Sequence, residues 1–206
     1  MSSAESIARS QRVTLTLCIP IVRWWGRLDV SGLEHLPSSG PVLLAGNHDS
    51  YWDPLVVGVA ALGRRQIRAL AKASLWKVRG VAPLLDVMGQ IPIERAAGDA
   101  GALERAAREL RAGACIGVFL EGTRSRGHTL RARSGLGRLA ELVPEAQVAC
   151  CTVEGPIDMH RFPKRPRIRV AFFTPEGEGL RDNETAAELS VRLLADIRSR
   201  APIPGG

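Results

Sequence analysis

Three side chains with acid–base potential stand together in Asn47-His48-Asp49-Ser50-Tyr51-Trp52-Asp53-Pro54, after the apolar run VLLAG. Pro54 suits the first turn of a helix, so Asp53 has a structural reading as the N-cap of that helix. A second reading is chemical. A loop between His48 and Asp53 lets the carboxylate fold back on the imidazole, fix its tautomer and support the imidazolium that forms. The other ring nitrogen can then take a proton from a hydroxyl. Both roles for Asp53 can hold together. Taken alone, the spacing of this pair is common enough to arise by chance.

A second loop, Glu121-Gly122-Thr123-Arg124-Ser125-Arg126-Gly127, follows the apolar run CIGVFL. Glycine lets a backbone approach a ligand closely, and amides, hydroxyls and guanidiniums are all donors to an anion. The alternative is a solvated turn of charged residues. Glu121 would repel phosphate unless it holds the arginines or a substrate hydroxyl in place. Lys72 and Arg95 each stand at the end of a strand-like stretch. If these four segments meet at one edge of a sheet, they form a single site that binds a phosphorylated alcohol and activates its hydroxyl.

The pattern of short apolar runs and amphipathic segments predicts the elements that would position those loops. Strands are expected at 42–46, 67–71, 90–93, 115–120, 147–153 and 168–173, and helices at 54–62, 75–87, 99–112, 134–143 and 184–200. In the third helix Leu103, Ala106, Ala107 and Leu110 recur at helical spacing, with Asp99 as a cap and Gly113 as a stop. The last helix opens on Asp182 and Asn183 and carries Leu189, Leu193, Leu194 and Ile197 on one side. This alternation implies an α/β domain with a mixed, partly parallel sheet flanked by helices. Ligands of such sheets collect at the C-terminal ends of the strands.

Composition sets outer limits. A chain of 206 residues suits one domain with a sizeable core, and 45% hydrophobic residues fits neither a disordered chain nor a membrane bundle. The net charge of +7 is compatible with nucleic acid, anionic headgroups, a phosphorylated substrate or simple solubility. Cys18, Cys115, Cys150 and Cys151 lack metal-ligand spacing, and adjacent Cys150 and Cys151 would point to opposite faces of a strand. They read as packed, reduced thiols, and no metal is expected. The apolar stretch Val13–Val22 is half the length of a bilayer span, lies between Arg12 and Arg23, and leads into Trp24 and Trp25. Residues 5–27 are read as lying on, or dipping into, one leaflet; the alternative is a helix packed on the core.

Taken in order, these segments resemble the glycerolipid acyltransferase family typified by 1-acylglycerol-3-phosphate O-acyltransferase. N-H-D-S-Y-W-D resembles its first block, M-G-Q-I-P-I-E-R its second and F-L-E-G-T-R-S-R its third; V-A-C-C-T-V-E-G falls where the fourth is expected. Lys72 in A-L-A-K-A-S-L matches the lysine that precedes the second block. The resemblance covers about residues 28–175 and divides the chain into an N-terminal membrane-interface segment, 1–27, and an acyltransferase domain, 28–206. It implies that His48 is the general base on the acceptor hydroxyl, which attacks the thioester of acyl-CoA or acyl carrier protein, with Asp53 orienting His48. It implies that Lys72, Arg95 and Arg124 bind the acceptor phosphate and that Glu121, Gly122 and Thr123 shape that pocket. It implies no cofactor beyond the acyl donor as co-substrate, lysophosphatidic acid as acceptor, and a peripheral or monotopic place on the cytoplasmic face of the cell membrane.

The chain departs from that family's pattern at Leu120, where proline is usual, at Glu94, where aspartate is common, and at Ala149-Cys150, where the fourth block has proline. These positions lie near the expected acceptor site, so a lyso-aminolipid, a glycolipid or a specialised metabolite is an alternative acceptor. A non-catalytic basic module on anionic membrane is the alternative from another class. Nucleic acid is not an expected partner: there is no recognised binding motif, and aromatic residues are only 4% of the chain.

Overall fold

Val42 to Gly46 are all buried, so this run has no solvent face and must lie at the centre of a sheet covered on both sides. The computed structural model describes residues 3–94, 100–161, 163 and 165–204. Its strands are β1 (Asp29–Ser31), β2 (Val42–Gly46), β3 (Ile67–Lys72), β4 (Ile91–Ile93), β5 (Cys115–Phe119), β6 (Gln147–Glu154) and β7 (Arg169–Phe173). Its α-helices are α1 (Ser3–Ile19), α2 (Asp53–Ala60), α3 (Ala82–Val87), α4 (Ala100–Arg111), α5 (Gly135–Leu142) and α6 (Ala186–Arg200).

The strands form one seven-stranded sheet in the order β1-β7-β6-β2-β5-β3-β4. β6, β2, β5, β3 and β4 run parallel, β7 is antiparallel to β6, and β1 is parallel to β7. The sheet is therefore mixed and mostly parallel, as the strand–helix alternation requires. The C-terminal ends of five strands lie on one edge, and the loops of His48 and Glu121 leave from the adjacent strands β2 and β5.

Alternation along the strands divides the core in two. Leu43, Ala45, Ile116, Val148 and Cys150 pack beneath α4, α5 and α6. Leu44, Cys115, Ala149 and Cys151 pack on the other face with Leu15 of α1 and Val56 and Val59 of α2. Cys150 and Cys151 do face opposite ways.

Several boundaries differ from the sequence pattern, each for a local reason. The helix expected over 75–87 is a 3₁₀ turn, Ala73–Lys77, followed by the separate α3. Val78, in an extended conformation, ends the first piece, Gly80 turns the chain with φ 81°, and Pro83 opens the second. β1 went unpredicted because three residues on a sheet edge, alternately exposed and half-buried, leave no apolar run. α6 starts later than Asp182: Thr185 accepts from the Glu188 amide while Glu188 reaches back to the Thr185 amide, a capping box. The cap expected at Asp99 lies outside the described residues.

The N-terminal segment does two things at once. α1 runs into a wider π-type turn, Pro20–Trp25, as suits a proline that cannot supply the regular helical bond. Gln11, Leu15 and Val22 are buried against the domain, and the Gln11 amide donates to the carbonyls of Ile67 (2.8 Å) and Met88 (3.0 Å). The outward side carries Val13, Leu17, Ile21 and Trp24, with Leu17 74% and Trp24 82% exposed. No described helix is long and apolar enough to cross a membrane.

Candidate active site

Asn47, the first residue beyond β2, is fully buried. Its side-chain oxygen accepts from the Val153 amide and its nitrogen donates to the Val153 carbonyl, both at 2.8 Å. The start of the loop is thus fastened to β6 as an extra rung of sheet. His48 follows, just beyond the C-terminal end of β2. Its ring stacks on Phe119, with centroids 4.5 Å apart and planes 16° from parallel.

Asp53 opens α2, but its carboxylate does not cap that helix. It points back into the loop, where Oδ2 accepts from His48 Nδ1 (2.9 Å), the Asp49 amide (2.7 Å) and the Ser50 amide (2.8 Å). Two backbone amides hold the carboxylate, and the carboxylate holds the imidazole. Since an ionised carboxylate only accepts, we assign the hydrogen to Nδ1, which leaves the lone pair of Nε2 to take a proton. The expected His48–Asp53 pair therefore exists, and the helix-cap reading of Asp53 is replaced by a loop-closing one.

The second loop is bonded to the first. The His48 amide donates to Glu121 Oε2 (2.9 Å), and the Ser125 amide donates to the His48 carbonyl (2.8 Å). The Ser125 hydroxyl donates to Asp49 Oδ1. Glu121 is buried, so its carboxylate is turned into the protein and braces the His48 backbone. Gly122 takes φ 68°, and a Cβ there would lie 3.0 Å from the Arg133 side chain. Thr123 is exposed, and the Arg124 guanidinium lies over the Tyr51 ring, 3.4 Å from its centre. Leu120, where the resemblance leads one to expect proline, donates its amide to the Gly46 carbonyl (3.1 Å). Proline has no N–H to make that bond.

Lys72 ends β3 on the same sheet edge and is exposed, and Arg95 lies outside the described residues. The residue the sequence reading missed is Arg198 of α6. It donates to both oxygens of Asp49 (2.9 and 2.8 Å) and to Glu121 Oε1 (2.6 and 3.1 Å). The available signal was a charge on a buried helical face, since Arg198 stands four and eight residues beyond the buried Leu194 and Ser190.

Burial pushes the Asp49 carboxyl up, but its bonds from Arg198, Ser125 and Asn47 outweigh that and hold it below the ordinary carboxylate range. Burial likewise pulls the Arg198 guanidinium down, and the facing carboxylates more than restore it. The cysteines are a different case. Burial raises Cys115 and Cys150 to about 12 and Cys151 well above its usual value, so they are packed thiols rather than nucleophiles.

An apolar cavity between α2 and the sheet is lined by Gly46, Val57, Gly58, Gly117 and Phe119, the ring on which His48 stacks. A larger cavity of about 860 Å³ lies at the opposite end of the strands, beside Gln147 and Thr174. Glu34, Glu141, Glu145 and Glu178 line it, which suits no phosphorylated ligand.

The model for the Acyltransferase family matches residues 27–154. The chain is 35% identical over 123 residues to a 1-acyl-sn-glycerol-3-phosphate acyltransferase of Borreliella burgdorferi, covering 58% of this chain and 48% of that protein. It is 29% identical over 103 residues to the chloroplastic 1-acyl-sn-glycerol-3-phosphate acyltransferase LPAT1 of Arabidopsis thaliana, covering 48% of this chain and 28% of that protein. These matches span less than half the length of either relative. The fold is that of the 1-acyl-sn-glycerophosphate acyltransferase PlsC from Thermotoga maritima, with a TM-score of 0.61 at 18% identity over 98% of this chain and 85% of that one. With the family match running from before β1 to the end of β6, across both loops of the site, the chain belongs to the Acyltransferase family.

Proposed function

We propose that the protein moves a fatty acyl group from a thioester donor, acyl-CoA or acyl carrier protein, to the free hydroxyl of a lysophospholipid, 1-acylglycerol-3-phosphate being the acceptor favoured. The observation that carries this reading is the His48–Asp53 pair, 2.9 Å apart and braced from the Glu121 loop. Nε2 of His48 takes the acceptor's hydroxyl proton as its oxygen attacks the thioester carbonyl. The new C–O bond forms, the C–S bond breaks, and the proton passes to the departing thiolate. No acyl-enzyme is required, and the reaction uses the chain's own groups with no cofactor.

Arg124 and Lys72, with Arg95, would hold the acceptor phosphate, and Gly122 and Thr123 would let it approach the backbone. Arg124 now lies on Tyr51 and would exchange that ring for the phosphate. The names of the Borreliella and Arabidopsis relatives support a lysophosphatidic acid acceptor. The exposed stripe Val13, Leu17, Ile21 and Trp24, flanked by Arg12 and Arg23, supports docking on an anionic membrane surface, at the cytoplasmic face of the cell membrane. A lysolipid held in a bilayer would then meet the site without leaving it.

The test is a donor-by-acceptor matrix on purified protein, read as thiol release. Wild type is expected to turn over lysophosphatidic acid with acyl-CoA or acyl carrier protein. His48→Ala should lose about 10²- to 10⁴-fold in kcat, and Asp53→Asn should also fall while binding acceptor normally. Thiol release absent for every pair, or full activity in His48→Ala, would overturn the reading.

A further inference from the structure

A guanidinium from the last helix joins the two loops of the site. Asp49 and Glu121 are buried carboxylates, on the β2–α2 loop and the loop after β5 respectively. Each is tied to the histidine: Asp49 follows it in the chain, and Glu121 accepts the His48 amide. Left unpaired, two desolvated carboxylates would repel one another and draw water into the cleft. The fork of Arg198 meets both, with its side chain only 14% exposed. Arg198 is 149 residues from Asp49 and 77 from Glu121, so the last helix fixes a site whose other members lie far earlier in the chain.

We propose that Arg198 is a positioning residue for acyl transfer: by clamping Asp49 and Glu121 together it sets the backbone position of His48 and hence where Nε2 meets the acceptor hydroxyl. It acts through the two carboxylates and touches neither substrate. The proposal rests on the acyltransferase reading of the site, but its structural half can be measured without turnover. A planar fork serves both carboxylates at once, whereas the single ammonium of lysine cannot reproduce the bidentate contact with Asp49 together with the two bonds to Glu121 Oε1. Arg198→Lys should therefore keep the charge and lose part of the geometry.

The experiment compares hydrogen–deuterium exchange and steady-state kinetics for wild type, Arg198→Met and Arg198→Lys. In Arg198→Met, exchange should quicken in peptides covering 46–53 and 119–127 and stay unchanged over α4. Its kcat should fall about 10²-fold, the loss that a small misplacement of a reacting group produces, with the acceptor KM within about threefold of wild type. Arg198→Lys should be intermediate in both measurements. If Arg198→Met fails to fold, Arg198→Lys carries the test with the same two peptides and the same split of kcat from KM. Unchanged exchange and kcat, faster exchange spread evenly over every peptide, or a lysine variant as impaired as the methionine one would each overturn the proposal. A wild type that turns over no acyl donor would instead defeat the acyltransferase reading and leave the exchange data to judge the clamp.

Discussion

A histidine on a loop can take several orientations, and here three neighbours select one. Asp53 holds Nδ1, Phe119 stacks on the ring, and Glu121 accepts the backbone amide. The same bonding has a pH signature at Asp49. Its carboxyl is held below the ordinary range, so the stability it contributes is fully present above about pH 4 and fades as pH falls through the lowered value. Asp49→Asn should cost about 3 kcal/mol, or about 6–12 °C in Tm, from pH 5 upward. Below pH 4 the gap between variant and wild type should narrow, as calorimetry from pH 3 to 8 would show. A gap that stayed constant to pH 3 would mean that the Asp49 charge contributes nothing to the fold.

At the scale of elements, α5 and α6 cross closely because Gly137 has no side chain. A Cβ there would lie 1.9 Å from the Ala186 carbonyl oxygen, which no rotamer can relieve. Gly137→Ala should therefore destabilise the protein by about 2 kcal/mol, read as a lower urea midpoint. Activity should fall with it, since α6 carries Arg198 into the site. A wild-type midpoint for this variant would show that the two helices can part at no cost. The breaks at Pro20 and Gly80 have local causes, and both residues are visible in the sequence. What the periodicity concealed was their effect, since apolar residues on either side of Gly80 continue the helical spacing.

For the molecule as a whole, the segment 3–25 joins the core to a surface. Its inner face is seated by Gln11, Leu15 and Val22, while Val13, Leu17, Ile21 and Trp24 of its outer stripe are exposed. The Arg165 guanidinium donates to the carbonyls of Trp24 and Trp25, so the end of the stripe is held to the domain. If the stripe docks on membrane, Leu17→Glu with Trp24→Glu should cut co-flotation with phosphatidylglycerol-containing vesicles by more than tenfold. Thermal stability should stay within about 0.5 kcal/mol, because both side chains are exposed. Unchanged flotation would remove this face from any membrane role.

The sequence by itself determined whatever depends on neighbours in the chain. The α/β alternation, the two loops and the His48–Asp53 pair are of this kind, because the four residues between them suffice to bring carboxylate and imidazole together. The packed thiols were also legible, since alternation along a strand sends adjacent cysteines to opposite faces. Only the tertiary structure decided what crosses long stretches of chain: that β2 and β5 lie side by side, that Glu121 turns inward to the His48 amide, and that Arg198 meets both carboxylates. A buried charge announces that it needs a partner, but strand order and helix crossing, set by how the two cores fill, decide which partner it finds. The N-terminal segment shows the same division. Its apolar spacing was plain in the sequence, and which face is buried was settled only when Leu15 met Gly58 on α2.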